Sequence, residues 1–175
     1  MSATEEACPV CLRSSPAIDT HIDSRITECM ACGRFTFSGS ALGVWQATRD
    51  KLTPKQISNA SSWLKNNQGL TFNSDDVAKL KFIEPPSVGV RAELLLKALE
   101  KALPDIGGKV HFPHNSPALI SWISLSWCKN EAELFYLLES YLEKQKLWVT
   151  RAHIRRRTTS IRKKLTWHRC RVAIC

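Results

Sequence analysis

The chain has 175 residues, which fits one ordinary domain or a small domain with an added module. Its 43% hydrophobic and 23% charged residues are typical of a soluble globular protein, and no apolar run reaches the roughly 20 residues that a membrane-spanning helix needs. The N-terminus has neither the basic start nor the apolar stretch of a secretory signal. We therefore expect a cytoplasmic protein with reduced thiols and no membrane partner.

The net charge of +9 comes from one end of the chain. Residues 1–150 contain 16 Lys and Arg and 16 Asp and Glu, whereas residues 151–175 contain nine Lys and Arg and no acidic residue. A strongly basic protein usually binds nucleic acid or an acidic surface. That inference applies here only to the basic tail, residues 151–175, because the rest of the chain is neutral.

Two C-x-x-C pairs open the chain. Cys8 and Cys11 form the first pair and Cys29 and Cys32 the second, and strand-like residues flank the second pair. Two residues between thiolates let one tight turn aim both sulfurs at one ion, and a hairpin between the pairs brings the second turn opposite the first. The pattern predicts a zinc ribbon over residues 1–40 with one structural zinc ion. Iron, which four thiolates also bind, stays the alternative.

Residues 41–150 are predicted to form a helical domain, because capping residues precede several segments with helical periodicity. The predicted helices cover residues 41–49 after Ser40, 53–68 from a capping box, 74–80 after Asn73, and the segment from Ser87 to Leu103.

The last part of this region is predicted to contain both extended and helical segments. Residues 109–113 are expected to be extended, and the apolar segment 117–127 fits either a helix or a strand. Asn130 is predicted to cap a last helix that turns Leu134 and Leu138 inward, and residues 147–150 resemble a strand. The predicted fold class is α+β, mostly α. The order of helix then strand suggests a winged-helix-like domain, although no second wing strand is evident after residue 150.

Two sets of basic residues are candidates for contact with nucleic acid. Lys55 and Lys65 share a face of the second predicted helix with Asn59, Ser62, Asn66 and Asn67, and a solvated surface, which we favour, explains these residues equally well. The tail adds Arg155, Arg156, Arg157, Arg162, Lys163 and Lys164. Such clusters bind RNA or DNA non-specifically. An out-of-frame end of the reading frame would give the same abrupt change in composition, and we favour that interpretation.

The remaining Cys and His residues do not form a second site. His21 is expected in an exposed hairpin loop, and Cys128, among apolar residues, is expected in the core. His111 and His114 have H-x-x-H spacing, but Pro113 lies between them and prevents a helix that would place both on one face. Because no nucleophile–base set, phosphate-binding loop or acid pair stands out, the sequence predicts no enzyme activity.

Residues 8–11 (CPVC), 28–35 (ECMACGRF), 61–64 (SSWL) and 130–134 (NEAEL) resemble segments of uncharacterised bacterial proteins that begin with a zinc ribbon and continue into a helical or winged-helix-like region. The resemblance covers most of residues 8–149. In that group an effector domain, often similar to toll/interleukin-1 receptor or nucleoside deoxyribosyltransferase domains, tends to follow. The resemblance therefore implies the N-terminal part of a longer protein, whose partner is its own effector domain or another protein.

The predicted function is a non-catalytic, zinc-stabilised regulatory or interaction module. The alternative is a DNA- or RNA-binding regulator that uses the helical body and the basic tail. No oligomeric state is predicted.

Overall fold

The computed structural model describes residues 4–21, 23–103, 113–142, 149–151 and 166–168. Within these ranges the chain forms a five-stranded sheet, six α-helices, a π-helical turn and a separate two-stranded sheet. The fold is therefore mixed α/β, as the predicted class requires at its coarsest level. None of the described helices is both long and apolar enough to cross a membrane.

The five-stranded sheet surrounds the two Cys pairs. Its antiparallel strands are β1 (Thr4–Ala7), β2 (Ser14–His21), β3 (Ser24–Cys29) and β4 (Gly33–Ser38), and the short β5 (Thr71–Phe72) pairs parallel to β4. The first Cys pair lies between β1 and β2, and the second lies between β3 and β4. This arrangement confirms the strands predicted on both sides of the second pair.

Three helices follow β4 in the first half of the chain: α1 (Gly39–Arg49), α2 (Pro54–Asn66) and α3 (Ser74–Leu80). The predicted capping box of α2 is present, because the Gln56 N–H donates to Thr53 Oγ1 and the Thr53 N–H donates to Gln56 Oε1 at 2.9 Å. The predicted start of α1 after Ser40 is wrong. Ser38 is the N-cap, since its Oγ accepts from the Ala41 N–H at 3.2 Å.

The first core joins the sheet to these three helices. Phe35 and Phe37 lie on the buried face of β4, and the Phe37 ring contacts Phe72 edge-on at 5.6 Å between centroids. The buried members are Cys8, Val10, Cys29, Ala31, Cys32, Phe35, Phe37, Ala41, Trp45, Ala60, Leu64, Phe72, Val77 and Leu80. The cluster thus contains residues from both sides of the boundary at residue 40.

The second half contains α4 (Val88–Ala102), α5 (Pro117–Leu125) and α6 (Glu131–Tyr136), followed by a π-helical turn, Leu137–Leu142. The ambiguous apolar segment is a helix because Ser116 caps it and Pro117 fits its first turn. The buried members of the second core are Ala92, Leu95, Leu99, Leu119, Cys128, Leu134, Phe135, Leu137 and Leu138. The inward positions of Leu134 and Leu138 are confirmed.

The strand predicted at 147–150 is present in part, as β6 (Val149–Arg151). It pairs antiparallel with β7 (Thr166–His168), a strand that the sequence pattern did not predict. The expected extended stretch lies outside the described residues except for Pro113, and so do the six basic tail residues proposed to contact nucleic acid.

Arg91 connects α4 to the segment that starts α6. Its Nη2 donates to Glu133 Oε1 at 2.8 Å, and its Nε donates to the Ser126 carbonyl at 3.1 Å. Burial by itself would raise the pKa of Glu133, but hydrogen bonds from the Lys129 N–H and the Arg91 guanidinium outweigh it and keep that pKa below its ordinary value. Glu133 is therefore a half-buried acceptor.

We predict that Glu133→Gln destabilises the protein at neutral pH by about 1 kcal/mol, and that the difference disappears in acid. Because the folded-state pKa of Glu133 is depressed, its contribution is present above the ordinary carboxyl pKa and is lost as pH falls through the folded value. Urea unfolding at several pH values measures this change. Glu93→Gln, which removes an exposed pair with Lys97, is the matched control and should cost less. If Glu133→Gln lowered the free energy of unfolding as much in acid as at neutral pH, the stabilising role of the ionised Glu133 carboxylate would be contradicted.

Candidate metal centre

The four sulfurs of the two Cys pairs converge on one point. All four lie within 4.8 Å of one another, and Cys8, Cys29 and Cys32 are buried while Cys11 is half-buried. The Sγ atoms of Cys8 and Cys32 are 3.7 Å apart, and those of Cys11 and Cys29 are 3.4 Å apart. The predicted ligand set is therefore assembled as one cluster that could hold a metal ion.

These distances fit a shared ion better than a covalent bond. A disulfide places its sulfurs about 2.05 Å apart, and all four cysteines are free thiols. Four sulfurs at about 2.3 Å from a central ion in a tetrahedron would lie about 3.8 Å from one another. The separations of 3.7 Å for Cys8 and Cys32 and 3.4 Å for Cys11 and Cys29 are within a few tenths of an ångström of that value. The donor set and its spacing thus fit a tetrahedral thiolate metal site.

Helix α1 fixes the first knuckle, residues 8–13. Trp45 Nε1 donates to the Pro9 carbonyl at 2.8 Å, and Arg49 Nε donates to the Val10 carbonyl at 3.3 Å. The two side chains are four residues apart and therefore lie on one face of α1. Both donors satisfy carbonyls of the turn that aims Cys8 and Cys11, so the position of this turn depends on α1.

Helix α2 fixes the second knuckle, residues 29–33, in the same way. The Cys32 Sγ and the Ser61 Oγ are 3.2 Å apart, and Lys65 Nζ donates to the Met30 carbonyl at 3.0 Å. Ser61 and Lys65 are again four residues apart. The knuckle itself ends at Gly33, whose φ of 76° is a backbone conformation that glycine adopts without strain.

Lys65 also affects the charge of the cluster. Burial lowers the pKa of Lys65, while the charges of Cys29 and Cys32 oppose that shift. Four thiolates around a divalent ion carry a net charge of about −2, so a half-buried ammonium beside them offsets part of that charge. The Ser61 hydroxyl near the Cys32 sulfur and the Lys65 ammonium, which interacts with the charges of Cys29 and Cys32, are outer-shell groups of the kind that support a thiolate site.

The four thiols share their protons unequally. Hydrogen bonds with Cys11, Cys32 and Cys8 lower the pKa of Cys29, since they stabilise its thiolate. Hydrogen bonding with Cys11 and then Cys29, together with burial, raises the pKa of Cys8. Four adjacent thiolates repel one another, so full deprotonation requires a cation among them.

The other candidate residues from the sequence lie outside the cysteine cluster. His21 ends β2 rather than lying in a loop, Lys55 pairs with Glu84 at 3.5 Å, and Cys128 is buried in the second core as predicted. His114 Nδ1 lies 2.6 Å from Glu131 Oε2, and His111 falls outside the described residues.

The polar face expected on α2 is largely internal. Asn59 and Ser62 are buried, and Asn59 Nδ2 donates to the Ile83 carbonyl at 2.9 Å. Asn66 Nδ2 donates to the Ser62 carbonyl and to the Leu125 carbonyl of α5. The interpretation of Asn59 and Ser62 as part of a solvated or phosphate-contacting surface is therefore wrong, because both are buried. The Asn66 amide already donates to two carbonyls.

Sequence reasoning missed Trp45, Arg49 and Ser61 as supports of the site. The available signal was their spacing, because Trp45 and Arg49, like Ser61 and Lys65, are four apart on one helix. That spacing predicts a shared face but not the carbonyls or sulfur that the face meets.

Comparison with known proteins adds no relative. The chain matches no protein-family model, no curated protein and no solved structure at a significant level. Support for the metal centre therefore comes from the geometry of this chain.

We predict that Cys29→Ser abolishes tight metal binding and unfolds the first core, because it removes one of four ligands and leaves three thiolates to compete for protons. Metal analysis of the purified protein and thermal unfolding measure the two effects. Cys128→Ser is the matched control: it changes a buried thiol of the second core and should retain the metal. Equal metal content in the two variants would contradict the assignment of the site.

Proposed function

We propose that this chain is a non-catalytic regulatory or interaction module stabilised by one zinc ion at Cys8, Cys11, Cys29 and Cys32. The observation that carries the proposal is the convergence of four sulfurs, three of them buried, on one point. Four thiolates complete a tetrahedral shell and leave no coordination position for water or substrate. Such a site supports structure rather than catalysis.

We propose zinc rather than iron because the site is proposed to be structural and needs no redox chemistry. Zinc has no redox chemistry, and a closed four-thiolate shell inside a small core is its usual structural role. The outer shell supports this assignment, since Ser61 and Lys65 neutralise and orient the sulfurs of the second knuckle.

The proposed role in protein interaction is supported by two exposed apolar side chains, one in each knuckle. Leu12 and Met30 are 55% and 42% exposed, and each follows a metal-binding cysteine directly. Rigid turns that present apolar side chains to solvent suit contact with a protein surface. The equal numbers of acidic and basic residues in 1–150 favour a protein partner over a polyanion.

We expect the protein purified from a medium that supplies both metals to contain one zinc per chain and no iron. Native mass spectrometry measures the stoichiometry. Replacing the zinc with cobalt should produce the intense thiolate-to-cobalt absorption of a tetrahedral four-sulfur site, and Cys11→Ser should weaken it. Iron in the purified protein, or a cobalt spectrum without thiolate bands, would refute the zinc proposal.

The second candidate function, a DNA- or RNA-binding regulator, rests on the nine basic and no acidic residues of 151–175. Lys55 pairs with Glu84 and Lys65 bonds to the second knuckle, so neither supports this candidate strongly. We expect the full chain to bind a duplex only weakly and with a steep salt dependence. Replacing the six candidate tail residues with Gln should abolish that binding. Tight, sequence-selective binding that survives the replacement would favour the regulator instead.

A further inference from the structure

A cavity of about 570 Å³ lies between α2 and α5. Ile57 and Ser58 of α2 line it together with Ile120 and Ile123 of α5, and Cys11 of the first knuckle reaches it as well. Small-molecule sites usually measure about 300–1,000 Å³, are largely apolar, and occur where separate packing units meet. This cavity has that size, its lining combines apolar with polar and charged side chains, and it borders both cores.

The charged residues around the cavity are mostly basic. Arg13, Arg49 and Lys129 line it, and the acidic side chain among its described lining residues, Glu131, is paired with His114 at 2.6 Å. Arg49 also has partners, since it donates to the Val10 carbonyl and lies 3.3 Å from an Asp50 oxygen. The side chains of Arg13 and Lys129 form no ion pair within the described ranges.

Two hydroxyls in the lining are also available to a ligand. Ser58 lies on α2, and Ser124, which is mostly buried, lies on α5. Neither hydroxyl has a hydrogen-bond partner in the part of the chain that the structure describes. A cavity with apolar side chains, two hydroxyls and two exposed cations outside the described ion pairs combines apolar contact with recognition of a negative group.

We propose that this cavity binds a small amphipathic anion. Its apolar body lies between Ile57 of α2 and Ile123 of α5, and its carboxylate or sulfonate-type group meets Arg13 and Lys129. Arg49 also lines the cavity, but it already donates to the Val10 carbonyl of the first knuckle and is not assigned to the ligand. The proposal does not depend on which metal the thiolates bind.

Two fluorescent dyes test the proposal on the full-length protein. Anilinonaphthalene sulfonate has an apolar body with one negative group, and phenylnaphthylamine is its uncharged analogue. We expect the sulfonate to bind one saturable site at least about fivefold more tightly than the uncharged dye, because only the sulfonate can pair with the two cations.

Charge variants locate the site. Arg13→Gln with Lys129→Gln should weaken sulfonate binding at least about fivefold and leave the uncharged dye unchanged. The matched control is Arg34→Gln with Lys51→Gln, which removes the same charge from exposed positions outside the cavity lining. The four side chains are on the surface, and a thermal unfolding curve like that of the unmodified protein shows that each variant is folded.

A filling variant tests the apolar part. Ser58→Phe should fill the cavity and weaken the binding of both dyes. Three results would overturn the proposal: equal affinity for the two dyes, equal loss in the two charge variants, or no saturable binding. Full competition by sodium sulfate at constant ionic strength would also overturn it, since that result would describe a site for any anion rather than an amphipathic one.

Discussion

The convergence of four thiolates on one point is the constraint on which the first half of the molecule depends. A structural zinc ion contributes about 10–16 kcal/mol of binding free energy, whereas the net stability of a domain is about 5–15 kcal/mol. The ion is therefore comparable with the whole net stability. Because Cys8, Cys29 and Cys32 belong to the first core, a protein without the proposed ion would have protonated thiols among Phe35, Trp45 and their neighbours and no metal to join the two turns.

The two Cys pairs and the strands around them are part of a larger packing unit. Helix α1 donates hydrogen bonds to the first knuckle through Trp45 and Arg49, and α2 contacts the second through Ser61 and Lys65. Each knuckle of the cysteine cluster is thus held by one helix. If the proposed ion binds, its site depends on the packing of α1 and α2 against the two turns.

The second core is connected to the first mainly along α2 and α5. Asn66 of α2 donates to the Leu125 carbonyl, and the cavity with Arg13 and Lys129 lies along the same boundary. A ligand there would contact elements that belong to both cores.

The sequence by itself determined the features that depend on short-range geometry. The spacing of Cys8, Cys11, Cys29 and Cys32 predicts their convergence, because each tight turn is local and one hairpin joins the two turns. The helix starts were predictable at Thr53, Asn73, Ser87 and Asn130, because a capping side chain bonds to a backbone N–H only a few residues away.

Only the tertiary structure decided where the polar side chains of α2 point. Polarity alone places Asn59, Ser62 and Lys65 on a surface, but Asn59 lies beneath the loop at Ile83 and Lys65 lies against Met30. Their acceptors are carbonyls 24 and 35 residues away along the chain, so no local pattern could identify them. Periodicity likewise left α5 ambiguous, because its residues face two cores and show no single apolar face. The sequence specified the four cysteines that could hold a metal, and long-range packing specified the residues that support them.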